Sequence, residues 1–332
     1  MTRIFSGIKP TGHLTLGNYL GAVRQWVEAE HQPDDALFCV VDLHALTVEH
    51  DPARVRRLSR QAATLLLAAG LSPDRCTLFV QSHVDEHTRL AYLLECTATD
   101  GELRRMVQYK EKAVQARGAG AGVRLSLLTY PVLMAADILA YGAGEVPVGE
   151  DQRQHVELTR DLAVRFNQRY GHTFTVPRAV HPAVAARVMD LQDPTSKMGK
   201  SFGDGPGVVF LLDEPEVVRR KVMRAVTDSG DGGVVYDRAG RPGVANLLDI
   251  LAACTGGDPA ALADGYAGYG ALKRDVAEAV VEVLRPLRER HAELAADPAA
   301  VDRVLREGAA RARALARPVV DRAYEAIGLL AP

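Results

Sequence analysis

Two short segments carry the residue types that polyphosphate chemistry needs. The first runs Lys9-Pro-Thr-Gly-His-Leu-Thr-Leu-Gly-Asn18, between a strand-like stretch and a helix-like one. Gly12 and Gly17 let backbone approach a ligand closely. The N-terminus of the helix behind them offers unpaired N–H groups and a partial positive charge, which suits phosphate. The second is Ser196-Lys-Met-Gly-Lys-Ser201. Two lysines three residues apart, with Gly between, can close as a mobile loop on a polyphosphate. Each segment also fits a plainer account, an ordinary strand-to-helix loop for the first and a solvated lysine linker for the second.

The elements that must hold these segments alternate through the first half. Arg3–Ser6, Ala36–Val41 and Arg75–Val80 read as strands, the second apolar throughout as in a strand buried on both faces. Helical spacing covers 17–28, with Leu20, Val23 and Val27 on one face. Asp51-Pro52 is an N-cap and N1 pair whose helix ends at Gly70. This order predicts an α/β chain with a Rossmann-type, doubly wound parallel sheet. Helical pattern continues over 86–112, 130–141 and 150–170, with a flexible Gly-rich break at 116–122. After Met198 come Gly-rich turns and helices only, over 215–226, 244–255, 258–266, 269–291 and 299–327. The expected division is a Rossmann catalytic domain over 1–190, an all-helical domain over 191–295, and a C-terminal helix over 296–332 that packs back on the first domain.

Composition narrows the class. The chain has 332 residues, 47% hydrophobic and 25% charged, as in an ordinary globular protein large enough for two domains. Forty basic and 42 acidic residues leave a net charge of −2, so bulk attraction to nucleic acid or an anionic membrane is not expected. Residues 1–12 lack the apolar core of a signal peptide, and the longest apolar stretch, 62–70, is too short to span a bilayer. Cys39, Cys76, Cys96 and Cys254 are widely spaced, which predicts reduced thiols, no metal and a cytoplasmic location.

Taken together, the motifs resemble one family. "TLGN" after the first strand and "KMGKS" after the sheet are similar to the HIGH and KMSKS signatures of class I aminoacyl-tRNA synthetases. Met134-Ala-Ala-Asp-Ile-Leu139, Val146-Pro-Val-Gly-Glu-Asp-Gln152 with Gln154 and His155, and Gly101-Glu-Leu-Arg-Arg-Met-Val-Gln-Tyr-Lys110 resemble the bacterial type of tryptophanyl-tRNA synthetase. So do Ala225-Val-Thr-Asp-Ser229 and Tyr324-Glu-Ala-Ile-Gly328, so that the likeness spans the whole chain.

The resemblance implies a reaction. The carboxylate of L-tryptophan attacks the α-phosphate of ATP, carried with Mg2+, to give tryptophanyl-adenylate and pyrophosphate. The aminoacyl group then passes to tRNA(Trp). It also implies a homodimer, with interface helices around 86–125, and a tRNA- and anticodon-binding role for 191–295; no membrane or DNA partner is implied. Thr15 matches the first position of HIGH, and Lys197 and Lys200 match the lysines that neutralise the departing phosphates, with help from Lys112. Lys9, Pro10, Thr11, Gly17 and Asn18 match the ATP turn. Gly149, Glu150 and Asp151 match the ribose segment, Val188 an adenine contact, and Met198, Gly199 and Ser201 the mobile loop.

Asp137 is the residue expected to read the side chain, because an indole N–H only donates and a carboxylate accepts. One helical turn puts it on a side with Leu133, Met134 and Tyr141. Phe5, Met134, Val146 and Val148 are expected as apolar walls, Tyr130 and Gln152 as holders of the α-amino group, and His44 near the reacting end.

Four positions depart from the family pattern. Lys9 and Leu43 stand where glutamine is usual, Gly199 replaces the serine of KMSKS, and Phe202 replaces a following aspartate. The expectation is altered handling of ATP or of tryptophan analogues with activity retained. The rival readings are tyrosyl-tRNA synthetase, whose phenol needs a different polar pair, and a non-catalytic regulatory paralogue. His83-Val-Asp-Glu-His87 matches an H-x-x-E-H zinc pattern, but it begins at a strand end and not on the helix that pattern requires. Arg219–Arg224 reads equally as a solvated helix face or as a phosphate contact.

Overall fold

The computed structural model describes residues 2–28, 35–118, 120, 122–149, 152–180, 188–199, 205–228 and 233–330. Five strands form one parallel sheet: β1 (Ile4–Ile8), β2 (Ala36–Val40), β3 (Thr77–Val80), β4 (Glu145–Pro147) and β5 (Arg178–Val180), in the order β3-β2-β1-β4-β5. The doubly wound sheet is the one the alternation predicted. β4 and β5 were not anticipated as strands; three residues each are too few for periodicity to register.

After β1 the chain makes α1 (Leu16–Asn18), a π-helical turn (Tyr19–Val23) and α2 (Arg24–Glu28). A π turn of this kind is frequent beside functional sites. A 3-10 turn over Leu43–Thr47 follows β2, and then α3 (Pro52–Ala68). Asp51 caps α3 by accepting from the Ala53 and Arg54 amides at 3.2 and 3.1 Å.

The single helical stretch expected over 86–112 is three helices: α4 (Glu86–Glu95), α5 (Asp100–Arg105) and α6 (Val107–Gly118). The break comes from Thr99, whose amide donates to Glu102 Oε1 at 2.8 Å in a capping box, and from Met106, which sits at ψ 127°. The Gly-rich break also starts later than expected, because α6 runs through Ala116 to Gly118. α7 (Leu125–Leu139) begins five residues before the expected start at Tyr130, carrying Pro131 inside it. α8 (Arg153–Tyr170) ends at Gly171, whose φ of +92° suits glycine. The helices α9 (Pro215–Met223), α10 (Pro242–Thr255), α11 (Pro259–Ala263), α12 (Tyr269–Ala296) and α13 (Pro298–Ala326) complete the chain.

The sheet is covered on both faces, which is why β2 is apolar along its whole length. Ala36, Phe38 and Val40 belong to a core shared with α3 and the helices α9 to α12. Leu37 and Cys39 point the other way, into a core shared with α4, α7 and α8. α13 packs on the edge strand β3 and on α4. Its Gly308 lies so close that a Cβ there would stand 1.9 Å from the Leu78 carbonyl oxygen. Arg311 and Arg313 tie the same helix down by donating to the carbonyls of Pro73 and His83 at 2.8 and 2.6 Å. A helix over the edge of the sheet also shields it from pairing with another chain.

Candidate active site

β1 lies between β2 and β4, and the connections reverse there. The link from β2 to β3 crosses one face through α3, and the link from β3 to β4 crosses the other through α4 to α7. Such a switch point opens a crevice at the carboxyl ends of the strands. A cavity of about 410 Å³ lies there, the size of an ordinary small-molecule site. It is lined by Phe5, Lys9, Asn18, His44, Lys112, Tyr130, Met134, Asp137, Val146, Val148, Gly149, Gln152 and Lys197. Residues expected from four distant stretches of sequence thus converge on one space. Phe5 is held in its wall by stacking on Tyr141, with ring centroids 5.6 Å apart.

Asp137, on α7, is 1% exposed. Its Oδ2 accepts from His44 Nε2 at 2.8 Å, and its Oδ1 from His87 Nδ1 at 2.6 Å. Gln81 Nε2 donates to both oxygens, at 2.8 and 2.9 Å. Gln81 is itself fixed, because its Oε1 accepts the Leu43 amide at 3.0 Å. His87 Nε2 pairs with the Tyr141 hydroxyl at 2.7 Å. Burial pushes Tyr141 well above its ordinary value, so the phenol stays protonated. Burial alone would raise the Asp137 carboxyl. The His87 charge, with hydrogen bonds from His44 and His87, opposes this and holds it well below the usual carboxylate range. The result is a fixed negative charge inside an apolar pocket.

The opposite charge lies in the same cavity. Lys9 donates to Thr47 Oγ1 at 3.3 Å, and burial, then the neighbouring Lys112 charge, lowers its pKa from 10.5 to about 8. Lys112 donates to Gln108 at 3.4 Å and stands 5.5 Å from the centre of the Tyr130 ring. The Tyr130 hydroxyl donates to Gln108 Oε1 at 3.1 Å and pairs with His155 Nε2 at 2.7 Å. Burial, then Glu111, raises Tyr130 well above the ordinary phenol range.

The two phosphate-type motifs meet outside the cavity wall. A Cβ at Gly17 would stand 3.3 Å from the Met198 carbonyl oxygen, so Gly17 is the residue that lets the "KMGKS" backbone lie against α1. Met198 is buried, and its amide donates to the Val188 carbonyl at 3.1 Å. Leu16 and Leu211 join the same layer, through Leu16 N–H to Val209 at 2.8 Å and Leu211 N–H to Leu14 at 3.0 Å.

Several expected residues do something other than line the cavity. Thr15 is fully buried; its hydroxyl accepts the Asn18 amide at 3.2 Å and donates to Asn18 Oδ1 at 3.2 Å, so it caps α1 and does not face a ligand. Pro10, Thr11, Gly17, Val188, Met198 and Gly199 also stand outside the cavity lining, and Leu43 meets the site only through its amide. His44, expected near the reacting end, does line the cavity and is also bound to Asp137. Glu150, Asp151, Lys200 and Ser201 lie outside the described residues. Gln81 and His87 were missed. Gln81 directly follows an apolar strand, where ligand sites of parallel sheets form. His87 was weighed only as a metal ligand, yet both its nitrogens are taken by Asp137 and Tyr141. Arg219 is paired with Glu216 and Glu278, and Lys221 with Asp213, which engages much of that basic stretch.

Comparison with known proteins agrees with this geometry. Residues 1–285 match the family of class I tRNA synthetases (W and Y). The chain is 76% identical over 332 residues to tryptophan–tRNA ligase 1 of Streptomyces coelicolor, covering all of this chain and 98% of that one. Its fold is similar to the crystal structure of tryptophanyl-tRNA synthetase from Mycoplasma pneumoniae, with a TM-score of 0.90, 35% identity, and coverage of 99% and 98% of the two chains. The Campylobacter jejuni enzyme, solved with ADP and tryptophan, follows at TM-score 0.83 and 31% identity, over 98% of this chain and 100% of that one. The match over residues 1–285, and 76% identity along the whole chain, place the chain in the class I (W and Y) tRNA synthetase family, among the bacterial tryptophanyl-tRNA synthetases.

Proposed function

We propose that the chain is a tryptophan–tRNA ligase in which Asp137 reads the indole N–H. The observation that carries this is the ionised, buried Asp137 in the same cavity as Lys9, Lys112 and Lys197. Three groups donate to Asp137, and of these only His44 lines the cavity. A carboxylate has about four acceptor positions, and the present donors fill them. His44 is therefore the donor that gives way when the indole arrives, while Gln81 and His87 hold the carboxylate in place. An indole N–H only donates, so the acceptor position that His44 vacates on Asp137 answers it fully.

Phe5, Met134, Val146 and Val148 wall the ring, and Tyr130 with Gln152 holds the α-amino group. The substrate carboxylate then faces the α-phosphate of ATP, and Lys9, Lys112 and Lys197 offset negative charge on the phosphates as pyrophosphate departs. Lys200, Glu150 and Asp151 keep the phosphate and ribose roles that the family likeness implies. Mg2+ enters on the nucleotide, because Asp137 is the one carboxylate among the described lining residues and its oxygens are already filled. The adenylate formed passes to the 3′ end of tRNA(Trp), with residues 191–295 on the RNA. A homodimer is supported by Tyr92, Val107, Val114 and Leu125, 53–74% exposed on packed helices α4, α6 and α7. Among the described residues no helix is long and apolar enough to cross a membrane, and a cytoplasmic site suits tRNA charging. Tryptophan-dependent ATP–pyrophosphate exchange tests the proposal; folded protein that shows none refutes it.

A further inference from the structure

Tyr141 lies one helical turn beyond Asp137, just past the end of α7, and is fully buried behind the cavity lining. Its ring is fixed on two sides. It stacks on Phe5, with centroids 5.6 Å apart and 10° between the planes, and meets Phe79 edge-on at 5.8 Å. Its carbonyl accepts from Arg3 Nη1 at 2.5 Å. A ring held in this way can offer its hydroxyl in one direction only, and among the described residues that hydroxyl has one polar partner, His87 Nε2 at 2.7 Å.

His87 is equally enclosed. It is fully buried, its ring lies 5.9 and 5.5 Å from those of Phe79 and Tyr141, and its two nitrogens meet Tyr141 and, at 2.6 Å, Asp137 Oδ1. An imidazole bonded through one nitrogen can pivot about that bond; bonded through both, it is a fixed bar between the phenol and the carboxylate. In the free protein this bar is one of three supports of Asp137, beside His44 and Gln81. Of the three, His44 faces the cavity and gives way when the indole arrives. Two supports then remain: Gln81, anchored by the Leu43 amide at 3.0 Å, and His87, anchored by Tyr141. The Tyr141 hydroxyl therefore matters most when the indole N–H is bound.

We infer that Tyr141 is a positioning residue for indole recognition: acting through His87, its hydroxyl fixes the Asp137 carboxylate in the geometry that separates tryptophan from an isostere lacking the N–H. The inference rests on the proposed role of Asp137 and extends it to a residue that touches no substrate. The test compares, by calorimetry, the Kd of tryptophan with that of benzothienylalanine, in which sulfur replaces the N–H, for the parent chain and for Tyr141→Phe. The substitution keeps the ring and its stacking on Phe5 and removes the hydroxyl alone. Tryptophan should bind about three- to tenfold more weakly, the size of one net hydrogen bond, while benzothienylalanine binds nearly as it does to the parent. The ratio of the two affinities should therefore fall by the same factor. A merely structural Tyr141 predicts otherwise, because a loosened pocket weakens both amino acids alike. An unchanged ratio overturns the inference, as does an unchanged affinity for tryptophan. If Tyr141→Phe does not fold, His87→Asn carries the test. Its amide stands where Nδ1 donates to Asp137 and is too short to reach Tyr141, so the ratio should again fall, and an unchanged one again overturns the inference. A parent chain that binds both amino acids equally well refutes the reading of Asp137 itself, a failure seen before any variant is made.

Discussion

Lys9→Gln is expected to make the folded protein more stable at neutral pH, because Lys9 is held charged in a place that disfavours its charge. Burial, and then the neighbouring Lys112, lowers its pKa from 10.5 to about 8. At 1.36 kcal/mol per pKa unit this corresponds to about 3 kcal/mol, and partial solvent access to the side chain reduces the expected gain to roughly 1–3 kcal/mol. The sign follows from proton counting. Below pH 8 both folded and unfolded chains hold the proton, and the folded chain carries the whole penalty. Between pH 8 and 10.5 the folded chain releases the proton while the unfolded chain keeps it, so stability of the parent chain rises relative to the variant. Urea unfolding of both proteins at pH 7, 8, 9 and 10 reads this directly: the advantage of Lys9→Gln should shrink across that window. An anion in the cavity should draw the lysine back to its charged form, so ATP binding near pH 8.5 should take up a fraction of a proton, visible as a dependence of calorimetric heat on buffer ionisation. Parallel stability curves with no proton uptake would refute the electrostatic account of Lys9.

Gln81→Leu removes the donor shared by both Asp137 oxygens and the acceptor of the Leu43 amide. The KM for tryptophan should rise about tenfold or more in ATP–pyrophosphate exchange, and an unchanged value would contradict the clamp. Gly308→Ala places a methyl group against the Leu78 carbonyl. It should cost about 1–3 kcal/mol by thermal or chemical denaturation, and a parent-like stability would show that α13 shifts freely. Leu125→Asp puts a charge on an apolar residue that is 74% exposed. Sedimentation should shift toward monomer, whereas no change in mass would remove this face from the interface.

The parts of the site that were legible in the sequence are those where local chemistry and position coincide. Asp137 stands among apolar neighbours on a helix, and Phe5 lies on the first predicted strand, while Val146 and Val148 lie in the stretch that carries the family likeness; all line the cavity. Thr15 was legible as a position and not as a role, because a threonine before a short helix is equally a cap, and here it is one. Gln81 and His87 could not be assigned to Asp137 from sequence, since the contacts span 56 and 50 residues and depend on how α4 and α7 pack. The break at Met106 was hidden because helical spacing carries across a one-residue interruption, and the four residues 96–99 between α4 and α5 include no Gly or Pro to mark them. The strands β4 and β5 were hidden by their shortness, since neighbours in the sheet and not their own pattern make them strands.

The most direct test of the central claim is amino-acid-dependent ATP–pyrophosphate exchange with tryptophan, tyrosine and phenylalanine on the folded protein. The ionised Asp137 in an apolar pocket predicts exchange with tryptophan and essentially none with the other two. Exchange with tyrosine at a comparable rate, or none with any of the three, would contradict it.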